Sequence, residues 1–183
     1  MIKKKCDVFK RFCEWKLEVE KSLGRSVKIF CTDNGGEFTS GKLENYLKKE
    51  GIKHELTIPK CLEQNGVAER FNKTLVEMVR SMLADSELPK SFWAKALVTA
   101  IYLRNRSPTK FVEGKTPFEV MHEKKAKSRT LERVFGCTAY SHIPKDERYK
   151  LDIKVCKHIF LGYSTNRKGY QLYDQSIRSV IHS

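Results

Sequence analysis

The sequence lacks an apolar stretch that could cross a membrane and a cysteine pattern that could hold zinc. No run of about 18 uncharged apolar residues occurs, and the basic start Met1–Lys5 is followed by Cys6 and Asp7 rather than by the apolar core of a signal peptide. The six cysteines form no C-x-x-C pair and have no matching pair of histidines, which excludes a zinc module and a disulfide framework. We therefore expect an intracellular globular protein of the nucleus or cytoplasm, with no membrane partner and mostly buried, reduced thiols.

The sequence is instead rich in positive charge. It contains 36 Lys and Arg against 22 Asp and Glu, a net charge of +14, divided as +5 before Leu103 and +9 from there onward. Such a surface gains free energy when it binds a polyanion and releases its counterions, so DNA or RNA is the expected partner. The alternative is that many of the lysines only solvate the outer faces of helices.

Apolar periodicity predicts alternating helices and strands in the first part of the chain. Apolar residues that recur every three or four positions predict a first helix, which ends at Gly24. The apolar stripe of this helix is expected in the core and consists of Val8, Phe12, Trp15, Val19 and Leu23. Alternation predicts a mostly buried strand over residues 27–31 and a second strand over residues 52–56, with a helix between them. This order favours a parallel sheet covered by helices.

A loop and two further helices are expected next. Residues 59–66 have no periodicity and carry turn residues at both ends, which predicts a surface loop. A long amphipathic helix then follows from Val67, with Glu69 in its first turn. Pro89 opens another helix, and the Trp93 side chain of that helix is expected in the protein core. From Val134 the sequence consists of short apolar runs, which predict the strands of a small β-barrel that leans on the first domain. These runs cover residues 134–137, 159–163, 169–173 and 179–181.

Two carboxylates stand at positions that suit metal chemistry. Asp33 follows the end of the first predicted strand, and Glu69 opens the long helix. If the two elements meet at one edge of the sheet, their oxygens could share Mg²⁺, which prefers hard oxygen ligands and can serve phosphodiester chemistry in pairs. Taken alone, the Asp33-Asn34-Gly35 sequence is equally typical of an ordinary turn.

The motifs around both carboxylates resemble those of retroelement integrases. The resemblance rests on Thr32–Phe38 (TDNGGEF), on Gln64–Arg70 (QNGVAER) and on the 35 residues between Asp33 and Glu69. It extends through Gly114–Phe118 (GKTPF) to Lys157–Tyr163 (KHIFLGY) and is similar in particular to the copia branch of retrotransposon Pol polyproteins.

The resemblance implies an α/β fold, namely an incomplete RNase H-like integrase core, with a mixed sheet flanked by helices, followed by a small SH3-like β-barrel module. The expected division is a core over residues 1–115, a linker over 116–133 and the module over 134–183. The implied activity is metal-dependent processing of DNA 3′ ends and their transfer to target DNA, with Mg²⁺ or Mn²⁺ as the cofactor, DNA as the partner and a homo-oligomer as the working form. Asp33 and Glu69 are the implied catalytic and metal-binding residues.

Four further residues are candidates for DNA contacts: Gln64, Asn65, Arg70 and Lys73. Lys73 lies one helical turn after Glu69 and could reach a phosphate beside the metal, or pair with Glu69 instead. Gln64 and Asn65 could hydrogen-bond a DNA strand, or could shape the loop and cap the helix.

The sequence departs from the family pattern at the first of the three catalytic carboxylates. That Asp stands on a strand before the first helix in the family, whereas the earliest Asp here is Asp7, which suits the first turn of the helix itself. We therefore expect an N-terminally truncated integrase segment that is inactive by itself. The alternatives are a non-catalytic remnant or domesticated module that binds nucleic acid, and an RNase H-type hydrolase, which the Gln64–Arg70 motif disfavours.

Overall fold

The computed structural model describes residues 5–57, 62–125, 133–164 and 167–183, without the side chains of Cys6, residues 62–65 and Phe111. The chain forms two compact units, an N-terminal unit of Met1–Phe71 and a C-terminal unit of Asn72–Ser183. Within the described ranges, no helix is long and apolar enough to span a membrane.

The N-terminal unit begins with the helix that the apolar periodicity predicts. Helix α1 spans Val8–Leu23 and ends at Gly24, whose left-handed conformation lets its N–H donate to the Glu20 carbonyl. Phe12 is buried as expected, but Trp15 is 49% exposed, so its predicted place in the core is wrong. The apolar stripe of α1 is wider than the surface of this small unit against which it packs.

Two short parallel strands form the sheet of this unit. Strand β1 (Ile29–Thr32) pairs with strand β2 (Lys53–Leu56), and helix α2 (Gly41–Lys49) connects them. The predicted parallel pairing is confirmed. The predicted burial of β1 is wrong, because Ile29 is 52% exposed: helices cover one face of this narrow sheet, and no described residue buries the other as in a wide parallel sheet.

The core of the N-terminal unit combines apolar packing with a buried charge. Phe12 packs against Leu43, Leu47 and Ile52, and its ring centroid lies 4.3 Å from that of Phe30. Burial of these side chains supplies the main favourable free energy of the unit.

Lys16 is also buried in this unit, where its Nζ donates to a Glu20 carboxylate oxygen at 2.8 Å and to a Glu50 oxygen at 2.9 Å. The hydrogen bond with Glu20 and then that with Glu50 raise the pKa of Lys16, and the hydrogen bond from Lys16 lowers the pKa of Glu20. The buried ammonium is therefore held in its charged form.

Helix α3 spans Leu62–Asp85 and begins earlier than the sequence predicts. The loop expected over residues 59–66 is wrong for residues 62–66, which are helical, whereas residues 58–61 lie outside the described residues. Glu69 is accordingly the eighth residue of the helix rather than part of its first turn. Extending an existing helix gains one hydrogen bond per residue, which outweighs the penalty of about 1 kcal/mol for Gly66.

The described part of the C-terminal unit contains the end of α3 and helices α4 and α5. Helix α4 spans Trp93–Arg106, and Trp93 is 50% exposed rather than in the core as predicted. Helix α5 (Pro117–His122) lies within the predicted linker, where Thr116 and Glu119 cap it reciprocally. The stretch 116–133 thus contains a short helix of its own.

Four antiparallel strands follow in the order in which they occur along the chain: β3 (Thr138–His142), β4 (Val155–Tyr163), β5 (Tyr170–Asp174) and β6 (Ser179–His182). The last three predicted strands are confirmed, but the first, over residues 134–137, is wrong. That stretch turns at Gly136, which has a φ of 84°, and a Cβ there would lie 2.1 Å from the Ser86 Cβ. The close approach requires glycine and a turn instead of a strand.

Helix α4 packs directly on strand β4. Thr99 is buried and its hydroxyl donates to the Leu161 carbonyl at 2.8 Å, and the rings of Tyr102 and Tyr163 stack with centroids 4.1 Å apart. A Cβ at Gly162 would lie 2.0 Å from the Thr99 Oγ1, so only glycine allows this contact. The β segment thus packs on a helix that lies within the predicted first domain, residues 1–115, although this helix and the strands form one compact unit.

Candidate functional site

The carboxyl ends of β1 and β2 lie at the same edge of the parallel sheet. Thr32 pairs with Leu56 at this end, and the Thr57 N–H continues the pairing by donating to the Thr32 carbonyl at 2.9 Å. The Asn34 side chain donates to the Thr57 carbonyl at 2.8 Å. The segment after β1 is therefore fixed to the segment after β2.

Asp33 extends from this edge as an exposed side chain. Its Oδ1 accepts a hydrogen bond from the Gly35 N–H at 3.1 Å, as in an ordinary Asx turn. The turn interpretation and the metal interpretation are compatible, because a carboxylate that uses one oxygen in a turn can offer the other to a cation.

Glu37 is a neighbouring carboxylate that the sequence interpretation passed over. A Cβ at Gly35 would lie 3.0 Å from the Asp33 Oδ1 and 3.1 Å from the Glu37 Oε2, so both carboxylates crowd this glycine. The pKa of Glu37 is lowered mainly by a hydrogen bond that the backbone N–H of Glu37 donates to its own carboxylate. The Lys5 ammonium, whose Nζ lies 3.3 Å from the Glu37 Oε1, lowers this pKa further. The available signal was its place in the same TDNGGEF motif, four residues after Asp33.

Glu69 is exposed on α3 and belongs, with Asp33, to the N-terminal unit. Among the residues that the structure describes, no three His, Cys, Asp or Glu side chains form a group that could hold a metal ion. Asp33 and Glu69 thus offer oxygens of the kind that Mg²⁺ prefers, but not a complete site.

The four candidate DNA contacts all lie on α3. Arg70 is exposed and its Nε donates to the Gly66 carbonyl at 2.9 Å, and Lys73 is exposed one turn after Glu69. The backbones of Gln64 and Asn65 are helical, while their side chains lie outside the described residues.

His54 has a structural role beside this edge of the sheet. Its Nε2 lies 2.8 Å from the Thr32 Oγ1, and its ring stacks on Phe30 with centroids 5.9 Å apart. It stabilises the sheet edge that carries Asp33.

The two units differ in charge. The N-terminal unit has 15 basic and 11 acidic residues, a net of +4, and the C-terminal unit has 21 and 11, a net of +10. The C-terminal unit is therefore the stronger electrostatic attractor of a polyanion.

Comparison with known proteins places similar sequences in one kind of polyprotein. Residues 137–183 match the family model for the retroviral polymerase SH3-like domain. The whole chain aligns with 14% of the retrovirus-related Pol polyprotein from transposon TNT 1-94 of Nicotiana tabacum, at 45% identity. Over 92% of its length the chain also aligns with 11% of the retrovirus-related Pol polyprotein from transposon RE1 of Arabidopsis thaliana, at 34% identity. The chain thus spans about a seventh or less of these curated relatives.

Among solved structures, the chain is similar to the catalytic core domain of BIV integrase. The TM-score is 0.48 at 26% identity, over 67% of this chain and 74% of that one. The match to the SH3-like family model and the four-stranded antiparallel sheet confirm an α/β chain that ends in an SH3-like module.

Proposed function

Because the chain belongs to the family of retrovirus-related transposon Pol polyproteins, we propose that residues 1–115 derive from an integrase core that processes and joins DNA ends. Residues 116–133 would link this core to the SH3-like module of residues 134–183. The observation that carries the proposal is the identity of 45% over an alignment of the entire chain, which spans the positions of both carboxylate motifs.

Asp33 and Glu69 are the proposed catalytic carboxylates. Asp33 suits this role because it is exposed at the carboxyl edge of parallel strands and fixed there through Asn34 and Thr57. When bound, Mg²⁺ or Mn²⁺ would activate the attacking oxygen and neutralise charge on the phosphate. Asp33 and Glu69 supply hard oxygen ligands of the right chemistry, and the proposal assigns the third carboxylate to a segment outside these two motifs, since no three described side chains form a metal-binding group.

Arg70 and Lys73 are proposed to contact DNA phosphates beside these carboxylates, with Gln64 and Asn65 contributing hydrogen bonds to the strand. Both basic side chains are exposed on the helix that carries Glu69. Contacts to phosphate position a nucleic acid without reading its sequence. The same resemblance supports a homo-oligomer bound to DNA within the nucleus or cytoplasm, and sedimentation with and without DNA tests that assembly.

A strand-transfer assay with a chimaera tests the catalytic proposal. We expect the 183 residues alone to be at least about a thousandfold less active than a complete site, because the proposal assigns them two of three metal-binding carboxylates. Fusing the segment that precedes the matched region in the tobacco relative should give transfer of a labelled DNA end with Mg²⁺. Asp33→Asn and Glu69→Gln should each abolish it, whereas Glu77→Gln, an exposed position on the same helix, should not.

A chimaera without activity, or one that is indifferent to Asp33→Asn, would contradict the proposal. Strand transfer by the unfused 183 residues that Asp33→Ala abolishes would contradict the expected inactivity.

The second candidate function is binding of nucleic acid without chemistry, which the net charge of +14 favours. Affinity should then fall steeply as salt rises, because binding releases counterions. Filter binding of labelled DNA over a salt series measures this. Affinity that is absent, or that does not respond to salt, would exclude this function.

A further inference from the structure

Two neighbouring cavities of the C-terminal unit meet at Tyr170. The first, which we call the basic cavity, has a volume of about 460 Å³ and is lined by Tyr102, Tyr163, Ser164, Arg167, Lys168 and Tyr170. The second, the aromatic cavity, has a volume of about 510 Å³ and is lined by Arg133, Ala139, Tyr140, Phe160, Tyr170 and Leu172. Both volumes lie in the range of ligand sites.

Hydroxyl groups in the basic cavity are incompletely hydrogen-bonded. The Tyr163 OH and the Ser164 Oγ are buried, and neither makes a hydrogen bond of good geometry to any described residue, although the Arg133 backbone lies close enough to the Tyr163 OH to lower its pKa. Buried polar groups are normally satisfied, so unpaired ones call for a ligand or water. Burial is the main cause that raises the pKa of Tyr163, and its hydroxyl therefore remains a donor at neutral pH.

The charge around the basic cavity selects an anion. Arg167 and Lys168 are exposed at its rim, and no Asp or Glu side chain is among the described residues that line either cavity. Hydroxyl donors beside two basic side chains are the groups that proteins use to bind phosphate.

The wall of the basic cavity is preorganised by aromatic stacking. The Arg106 guanidinium lies 3.6 Å from the centroid of the Tyr102 ring, and Tyr163 stacks on the same ring at 4.1 Å. At these distances the two groups must occupy opposite faces of Tyr102. This three-layer stack holds the Tyr163 side chain in place.

The aromatic cavity offers an exposed ring next to the proposed phosphate position. Tyr140 is 65% exposed although it lines this cavity. The Arg133 guanidinium lies 5.1 Å from the centroid of the Tyr170 ring, and Tyr170 lines both cavities. A free aromatic face beside basic side chains is the arrangement on which unpaired bases stack.

We propose that the two cavities form a binding site for an unpaired nucleic-acid strand, with a phosphate in the basic cavity and an adjacent base stacked on Tyr140. This inference deepens the proposed function and rests on its nucleic-acid partner, but it needs neither Asp33 nor Glu69. The site would hold a strand through the SH3-like module, at a place distinct from the carboxylates.

Fluorescence anisotropy with the full chain and a labelled oligothymidine of about 16 nucleotides tests the stacking contact. Tyr140→Ala should weaken binding about tenfold, because one base loses its platform, and Tyr140→Phe should retain most of the affinity. The matched control is Tyr149→Ala, which removes an 85% exposed tyrosine of the same unit that lines neither cavity. Equal effects at Tyr140 and Tyr149, or none at Tyr140, would overturn the proposal.

A salt series tests the phosphate contact. Lys168→Ala should lower the dependence of log affinity on log salt by about 0.7 for a single strand, whereas Lys150→Ala, an exposed lysine outside the cavities, should change it less. A blunt duplex of the same length has no unpaired base, so a tenfold loss on that duplex with Tyr140→Ala would also overturn base stacking.

The two proposals fail separately. The chimaera could transfer strands while Tyr140→Ala leaves oligothymidine binding intact, which would remove only the cavity site. Conversely, an inactive chimaera whose binding still depends on Tyr140 and Lys168 would remove only the catalytic proposal.

Discussion

The two compact units cover their sheets in different ways. In the N-terminal unit, helices bury one face of two parallel strands and leave Ile29 about half exposed on the other. In the C-terminal unit, helix α4 lies so close to β4 that Thr99 bonds the Leu161 carbonyl directly. Asp33 thus stands at the edge of the more open sheet, in the unit that also contains Glu69, while the more closely packed unit carries the larger positive charge.

The difference also concerns what holds each unit together. The N-terminal unit relies on an aromatic cluster and on a buried ammonium with two carboxylates. The C-terminal unit relies on two apolar clusters, and in addition on close backbone approach at glycine and on the buried Thr99 hydroxyl. Each unit contains one tryptophan, Trp15 or Trp93, so variants that retain only one of them can report on unfolding separately.

The largest expected effect is that of Gly162→Ala on the C-terminal unit. The new Cβ would lie 2.0 Å from the Thr99 Oγ1 at a φ of 132°, so we expect a loss of about 3 kcal/mol in the free energy of unfolding. Urea unfolding followed by Trp93 fluorescence measures it. Gly41→Ala in the N-terminal unit, where no atom lies within 4 Å of the new Cβ, should leave the stability read from Trp93 within about 0.5 kcal/mol of the original value. Equal stability of the Trp93 transition in the two variants would show that the close helix-sheet contact is unimportant.

The next effect is that of Lys16→Ala on the N-terminal unit. Removing the ammonium leaves Glu20 and Glu50 without their shared partner and opens space in the core, which we expect to cost about 2 kcal/mol because both carboxylates remain partly solvated. Trp15 fluorescence during urea unfolding reports it. Lys21→Ala, at an exposed position of the same helix, is the control, and an equal loss there would contradict a role for the buried charge.

A smaller effect is expected for Thr99→Val. The substitution preserves shape but leaves the buried Leu161 carbonyl without its 2.8 Å hydrogen bond, at a cost of about 1 kcal/mol. Thr138→Val, at an exposed position on β3, should cost less. If both variants unfold at the same urea concentration, the helix-sheet bond contributes nothing measurable.

The smallest expected effect is that of Glu20→Gln on the stability of the N-terminal unit at low pH. The pKa of Glu20 is lowered in the folded state from its ordinary value of 4.5, so the unfolded chain takes up the proton at higher pH than the native one. Its contribution to stability is fully present above about 4.5 and is lost as pH falls through the folded value. Urea midpoints between about pH 6 and pH 3, read from Trp15, should show Glu20→Gln flattening this decline more than Glu18→Gln does.

Local patterns predicted the elements whose residues interact with near neighbours in sequence. The first helix, its end at Gly24, the parallel pairing and three strands of the β module followed from periodicity and turn residues. The predictions failed where a distant partner decides the conformation. Residues 134–137, for example, have the apolar pattern of a strand, but they form a turn because Ser86 packs against Gly136.

The candidate site was predictable to a similar degree. The motif around Asp33 indicated its place after a strand, which β1 confirms, and the motif around Glu69 indicated a helix, although α3 begins earlier than expected. Glu37 and the two cavities at Tyr170 were not predictable, because their significance depends on neighbours that the fold brings together.

By itself, the sequence determined the family, the positive charge, the two carboxylate motifs and most helices and strands, because these depend on residue identity and short-range periodicity. Only the tertiary structure decided that Trp15 and Trp93 are half exposed, that Lys16 is buried and that Gly162 meets Thr99. The physical reason is that burial and close contact depend on the surface that a partner element offers, and no local pattern records the size of that surface.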